Sequence, residues 1–117
     1  MPTRSFDSAD ETRTPDKTRV DIVNIGSAKA SRVTFQPGWR WSECIKPVAG
    51  TDTCQVHHFG VLVAGAMHVI NGDGSEMDIN TGDVYVIDPG HDAWVVGDDV
   101  TVGYEFDPGA VATFAKS

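Results

Sequence analysis

Apolar and polar positions along this chain alternate in short runs, and no stretch of useful length keeps a helical period. Val20-Asp21-Ile22-Val23-Asn24-Ile25 sets Val20 and Ile22 against Asp21, and Asn24 interrupts the apolar run; a strand ending at Gly26 is predicted. Ala30 to Phe35 predicts a second strand, stopped by the turn pair Pro37-Gly38. Trp39-Arg40-Trp41 puts two indoles on one face of an extended segment, where they serve as an aromatic core wall. Residues 42–53 contain Pro47 and Gly50 and are expected to form a loop. Gln55 to Asn71 predicts two strand-like pieces, broken or bent at Gly60 and Gly65, and Asn71-Gly72-Asp73-Gly74 is a hairpin signal. Ser75 to Ile79 returns as the partner strand, and Thr81-Gly82-Asp83 turns again. Val84 to Asp88 has strong strand propensity, Pro89-Gly90 turns, Ala93 to Val96 extends, and Gly97-Asp98-Asp99 is another tip. Val100, Val102, Tyr104 and Phe106 then alternate against Thr101, Gly103 and Glu105. Asp107-Pro108-Gly109 stops that run, and Ala110 to Lys116 is expected as one short terminal helix.

Eight or nine short strands separated by Gly, Pro, Asn and Asp predict an all-β sandwich or small barrel. Residues 1 to about 18 are charged, rich in Thr, Asp and Arg, and without apolar periodicity, so a disordered or loosely docked N-terminal arm is expected. Phe6 is its one sizeable apolar anchor, which keeps docking open. The arm (1–18) leaves 19–117 as one domain, a size that suits a single core.

The formal net charge of -8 argues against a nucleic-acid groove, which needs a basic face, and against an anionic membrane surface. No apolar run approaches the roughly 20 residues that span a bilayer, and the N-terminus lacks a signal-like apolar core. A cytoplasmic location is the expectation. There a reducing environment favours free thiols at Cys44 and Cys54 over a disulfide, and a buried cysteine serves packing by default.

The chemistry gathers in Cys54-Gln55-Val56-His57-His58, which runs straight into the apolar strand ending at Gly65. Side chains alternate along a strand, so Cys54 and His58 share one face while His57 points away unless a bulge reverses it. Two ligand-type side chains on one face raise a metal site or a reactive pocket. Two alternatives stand beside it. The histidines can be satisfied by backbone, Tyr85 or Glu105, and an activated Cys54–His58 thiolate lacks an evident orienting third group. His68 is expected to be structural or exposed. No glycine loop precedes a helix to cradle phosphates, so no nucleotide cofactor is expected.

With the turns placed, the chain resembles a single-domain cupin, a small jelly-roll β-barrel of the cupin-2 kind. Registering the first cupin motif on Gly65 puts His58 in its Glu slot, Cys54 in its second His slot and Asp52 in its first. The second motif matches Gly82 and Gly90, with Ala93 in its His slot, Gly97 in its Asn slot and Asp88 in its first Pro slot. The scaffold glycines match; the usual ligands, three His and one Glu around a divalent metal, do not. His91 has the parity of the missing third His, although after Pro89-Gly90 it is equally placed to be solvated. A set of Cys54, His58 and His91 would suit one divalent transition metal, Zn, Fe or Ni, with water or Asp52 in the fourth position. Trp41, Asp52, Tyr85 and Trp94 are the expected pocket-lining residues.

The resemblance implies a small-molecule enzyme of oxygenase or isomerase type. The degenerate motif equally implies a non-catalytic ligand-binding or sensing module without metal, and a purely structural domain is a third reading. No catalytic residue is assigned. A homodimer is expected in each case, because cupins pair through barrel strands and open sheet edges gain from cover.

Overall fold

The computed structural model describes residues 2–116; Met1 and Ser117, at the ends of the expected arm and domain, lie outside them. Nine strands are present among these residues: β1 (Glu11–Arg13), β2 (Thr18–Ile25), β3 (Ala28–Phe35), β4 (His58–Ala64), β5 (Ala66–Asn71), β6 (Glu76–Asn80), β7 (Val84–Ile87), β8 (His91–Val95) and β9 (Thr101–Glu105). They form a six-stranded sheet in the order β1-β2-β3-β9-β4-β7 and a three-stranded sheet in the order β6-β5-β8. All the pairings are antiparallel, as in a jelly roll. The all-β reading holds. No helix is long and apolar enough to cross a membrane among the described residues.

The inward residues of both sheets, among them Val20, Val33, Phe35, Leu62, Val69 and Ile79, make one core with both indoles of Trp39 and Trp41. Trp39 is held by a hydrogen bond from its Nε1 to Thr18 Oγ1 at 2.9 Å. Gly65, at φ 78°, makes the bend between β4 and β5, where a side chain would strike Thr101.

Several local expectations shift. Gly60 neither breaks nor bends its strand and sits inside β4. The expected loop at 42–53 contains two helical turns, α1 (Trp41–Cys44) and α2 (Lys46–Ala49), so Trp41 begins a helix rather than continuing an extended segment. α3 (Pro108–Thr113) starts earlier than expected because Asp107 caps it, accepting from Gly109 N and Ala110 N, and Pro108 fits the first turn.

The arm is docked. β1 pairs with β2, and the Phe6 ring stacks on Tyr104 with centroids 5.4 Å apart. Arg13, buried, donates to the carbonyls of Val111, Ala112 and Phe114 at 3.1, 2.9 and 2.8 Å. A guanidinium with its donors so occupied ties the end of α3 to the arm. It thereby fixes Phe114 over the barrel interior.

Candidate metal centre

Cys54 and His91 lie on facing segments that exchange backbone bonds. Cys54 N donates to His91 O at 2.8 Å and His91 N to Cys54 O at 3.3 Å, an isolated antiparallel bridge that sets both side chains on the inner face. His58 opens β4 with the same parity, and its Nε2 lies 3.6 Å from Cys54 Sγ. The ligand atoms of Cys54, His58 and His91 lie within 4.8 Å of one another, and all three residues are buried.

Both rings are oriented from behind. His91 Nδ1 faces the carbonyl oxygen of Asp88 at 2.7 Å; a carbonyl only accepts, so Nδ1 donates there and Nε2 is the nitrogen turned to the cluster. His58 Nδ1 donates to Glu105 Oε1 at 2.6 Å, and Tyr85 donates from its hydroxyl to Glu105 Oε2 at 2.8 Å. Room for these side chains comes from two inward glycines. A Cβ at Gly103 would meet the Tyr85 hydroxyl at 2.9 Å, and one at Gly60 would meet Glu105 Cγ at 3.0 Å and run into the Tyr104 carbonyl.

The cluster is strongly polarised. Burial pushes the Cys54 thiol up, but the neighbouring rings of His58 and His91 outweigh it and bring the group down to about 6. Burial pushes His58 down, yet the Glu105 charge and the bonds to Cys54 and Glu105 lift it to about 10. Burial and then the Glu105 charge drive Tyr85 upward, which keeps its hydroxyl a proton donor to Glu105. Without a metal, both shifts favour a Cys54 thiolate beside a His58 imidazolium.

The donors also fit a metal. Tetrahedral zinc with ordinary Zn–S and Zn–N bonds spaces sulfur and nitrogen about 3.5 Å apart, close to the observed 3.6 Å. One thiolate and two imidazoles suit a borderline metal, and a carboxylate behind a ligand histidine is a common means of holding it.

Beside the cluster lies a cavity of about 30 Å³, room for roughly two waters, with His58, His91, Tyr85 and Glu105 among its walls and apolar groups such as Phe35, Leu62 and Ile79 around the rest. A groove of about 160 Å³ runs past Cys54 toward the surface. Trp41 and Phe114 line both spaces. The Trp41 Nε1–H is buried without an acceptor among the described residues.

The expected residues divide sharply. Cys54, His58 and His91 come together, and Trp41 and Tyr85 line the cavity. Asp52 does not: its side chain is fully exposed and reaches Lys46 Nζ at 3.5 Å. Strand parity lapses before Cys54, where the backbone leaves α2 through Gly50 at φ 74° and bends. Trp94 also leaves the pocket. In β8 it is His91, Ala93 and Val95 that face inward; Trp94 faces out, under the Arg40 guanidinium at 4.1 Å and against His68 at 4.9 Å. His57 points outward and bonds Asp107 Oδ2 at 2.8 Å. Both cysteines are free.

Glu105 is the orienting third group that the Cys54–His58 pair needed. Its signal was the lone acid on the less apolar face of the last strand, and β9 turns that face inward: Thr101, Gly103 and Glu105 are buried.

No family model and no curated protein sequence matches the chain. Among solved structures, it is similar to a cupin 2 conserved barrel domain protein from Salinispora arenicola, at 18% identity and TM-score 0.60, over 96% of this chain and 93% of that one. A protein with a double-stranded β-helix domain from Klebsiella pneumoniae matches at 15% identity and TM-score 0.58, over 92% and 84%. A protein of unknown function from Rhizobium leguminosarum matches at 18% identity and TM-score 0.62, over 92% and 97%. The chain therefore has the fold of a cupin barrel.

Proposed function

We propose that this barrel binds a small organic molecule beside one divalent transition metal held by Cys54, His58 and His91, and acts on it as a metal-dependent cupin enzyme of oxygenase or isomerase type. The observation that carries the reading is the convergence of three buried ligand atoms within 4.8 Å, two of them on residues, His58 and His91, that line a largely apolar cavity. A metal bound there would supply a Lewis acid with a position open to water or substrate.

The chain's own residues do the rest. Glu105 accepts the Nδ1 proton of His58, and the Asp88 carbonyl accepts that of His91, so each ring presents Nε2 to the interior. Tyr85 holds the second Glu105 oxygen and keeps the carboxylate from turning. The unpaired Trp41 Nε1–H is the donor available to an acceptor atom of the ligand, and Phe114 excludes water from the inner space. Free thiols at Cys44 and Cys54 are consistent with work in a reducing cytoplasm.

Elemental analysis of protein purified without a metal-affinity tag tests this. One equivalent of metal is expected, and the cobalt-loaded protein should show a thiolate-to-cobalt absorption that Cys54→Ser abolishes. Saturating metal at about 100 times its dissociation constant should add about 2.7 kcal/mol of stability. Absence of stoichiometric metal even after supplementation would sink the metal reading.

A second reading keeps the pocket and drops the metal, giving a non-catalytic ligand-binding or sensing module. The observation that favours it is that Cys54, His58, Glu105 and Tyr85 already satisfy one another by hydrogen bonds. Thermal stabilisation by organic ligands alone, with none from metals, would select it.

A further inference from the structure

The inner cavity and the groove share a wall of two aromatic side chains. Among the described residues, only Trp41 and Phe114 line both spaces. Cys54 lines the groove, whereas His58 and His91 line the inner cavity. The Phe114 ring stands T-shaped on the His58 ring, with centroids 5.0 Å apart, and on Phe35 at 6.3 Å. The inner cavity, at about 30 Å³, holds roughly two waters. An organic molecule beside the histidines therefore needs room that only the groove can lend. One of the two rings must give way.

Trp41 is the fixed side of the wall. It opens α1, where Cys44 N and Ile45 N donate to the carbonyls of Arg40 and Trp41 at 2.9 Å each, and Arg40 bridges to Trp94 of β8. Phe114 is the side free to move. It ends α3, a helix of six residues that is too short to hold its own last turn. Val111 anchors the helix in the core, but the carbonyls at its end depend on Arg13. Phe114 O itself accepts from Arg13 Nη1 at 2.8 Å, so the ring's own residue is the one tied down. Ala115, which follows, sits at φ 61°, in the left-handed region that a side chain disfavours. The turn that carries Phe114 inward is thus strained and held from outside. Its holder stands on β1, a three-residue strand at the edge of the sheet, with Glu11 Oε2 accepting from Arg13 Nε at 2.6 Å.

We propose that Phe114 is a gate that closes the cluster and the inner cavity off from the groove. Arg13 is its positioning residue and sets how often it opens, so the docked arm and the size of the ligand together decide what reaches the cluster. This gate presumes the pocket proposed above but not its metal, so metal-free protein tests it. Cys54 is 1% exposed although it lines the groove, and a bulky reagent such as N-ethylmaleimide reaches its sulfur only when a wall gives way. Cys44, 3% exposed and lining neither space, is reached only by a wider opening of the fold and is the internal control.

Peptide mass spectrometry of the full chain reads the two alkylation rates separately. Arg13→Gln and Phe114→Ala are each expected to speed alkylation of Cys54 at least about tenfold while Cys44 changes less than about twofold. The double variant should be no faster than Phe114→Ala, because Arg13 acts through Phe114. Methyl methanethiosulfonate, which transfers a much smaller group, should gain less from either substitution. Arg13→Lys keeps the charge without the guanidinium fork, and should fall between wild type and Arg13→Gln; it serves should the glutamine variant fail to fold. An unchanged Cys54 rate in either single variant, an equal rise at Cys44, or additive effects in the double variant would each overturn the proposal. Absence of bound metal leaves all of these rates readable and would sink the metal reading alone.

Discussion

His58 and His68 each pair ring Nδ1 with a carboxylate at almost the same distance, 2.6 Å to Glu105 and 2.7 Å to Asp78. Their surroundings separate them. The side chains of His58 and Glu105 are 5% and 6% exposed, whereas Asp78 is 70% exposed, as is 55% of Glu76 on the other ring nitrogen of His68. Water screens the outer pair and leaves it little energy; the inner pair is shut off from bulk water, so removing one partner leaves a buried charge. Equal geometry thus does unequal work: one arrangement fixes a buried ring in the Cys54 cluster and the other decorates a surface.

The strongest way to break the comparison is to remove each ring. His58→Ala leaves the Glu105 carboxylate buried with only Tyr85, and should cost about 3–5 kcal/mol in urea unfolding of the metal-free protein. It should also abolish metal binding. A loss under 1 kcal/mol would mean that the inner pair behaves like the outer one.

Titration reaches part of the same loss. His58 is raised from 6.5 to about 10, so its contribution is complete below the lower value and disappears as pH rises through about 10. Cys54 is lowered from 9.0 to about 6, so its contribution is complete above the higher value and disappears as pH falls through about 6. The metal-free thiolate–imidazolium pair therefore stabilises the fold between about 6 and about 10. The stability difference between wild type and Cys54→Ser should narrow as pH drops below that window. A difference that stays flat through its acid edge would refute the paired state.

Glu105→Gln keeps a hydrogen-bond acceptor behind His58 but removes the charge. Zinc affinity, measured by isothermal titration, should fall about 10–100-fold. Retention of full affinity would show that Glu105 serves packing alone. Tyr85→Phe deletes one hydrogen bond to a buried carboxylate and should cost about 1–3 kcal/mol in the same urea experiment. His68→Ala comes last: no measurable shift of the urea midpoint is expected, and a shift as large as that of Tyr85→Phe would end the distinction between inner and outer pairs.

The comparison also shows why one part of the site was visible before folding. Cys54 and His58 share a strand face by a two-residue period, which is local. Asp52 failed the same rule because the rule needs continuous extended backbone, and the chain bends between Gly50 and Cys54. Trp94 failed because its neighbour His91, not Trp94, has the inward parity. β9 shows the reverse limit: its alternation was plain, but the more apolar set, Val102 and Tyr104, faces outward. Outside, Phe6 covers Tyr104; inside, Gly103 leaves space for Tyr85 and Glu105 answers His58.

The sequence by itself determined most strands and turns from β2 onward, the all-β class and the common face of Cys54 and His58, because alternation and turn chemistry act over a few residues; β1, in the expected arm, it did not. Tertiary structure alone decided the rest. His91 joins the cluster only through its backbone bridge to Cys54, and Glu105 reaches His58 from 47 positions away. A strand's period says that two faces exist; which face is inner, and what meets it there, depends on partners that only packing brings near.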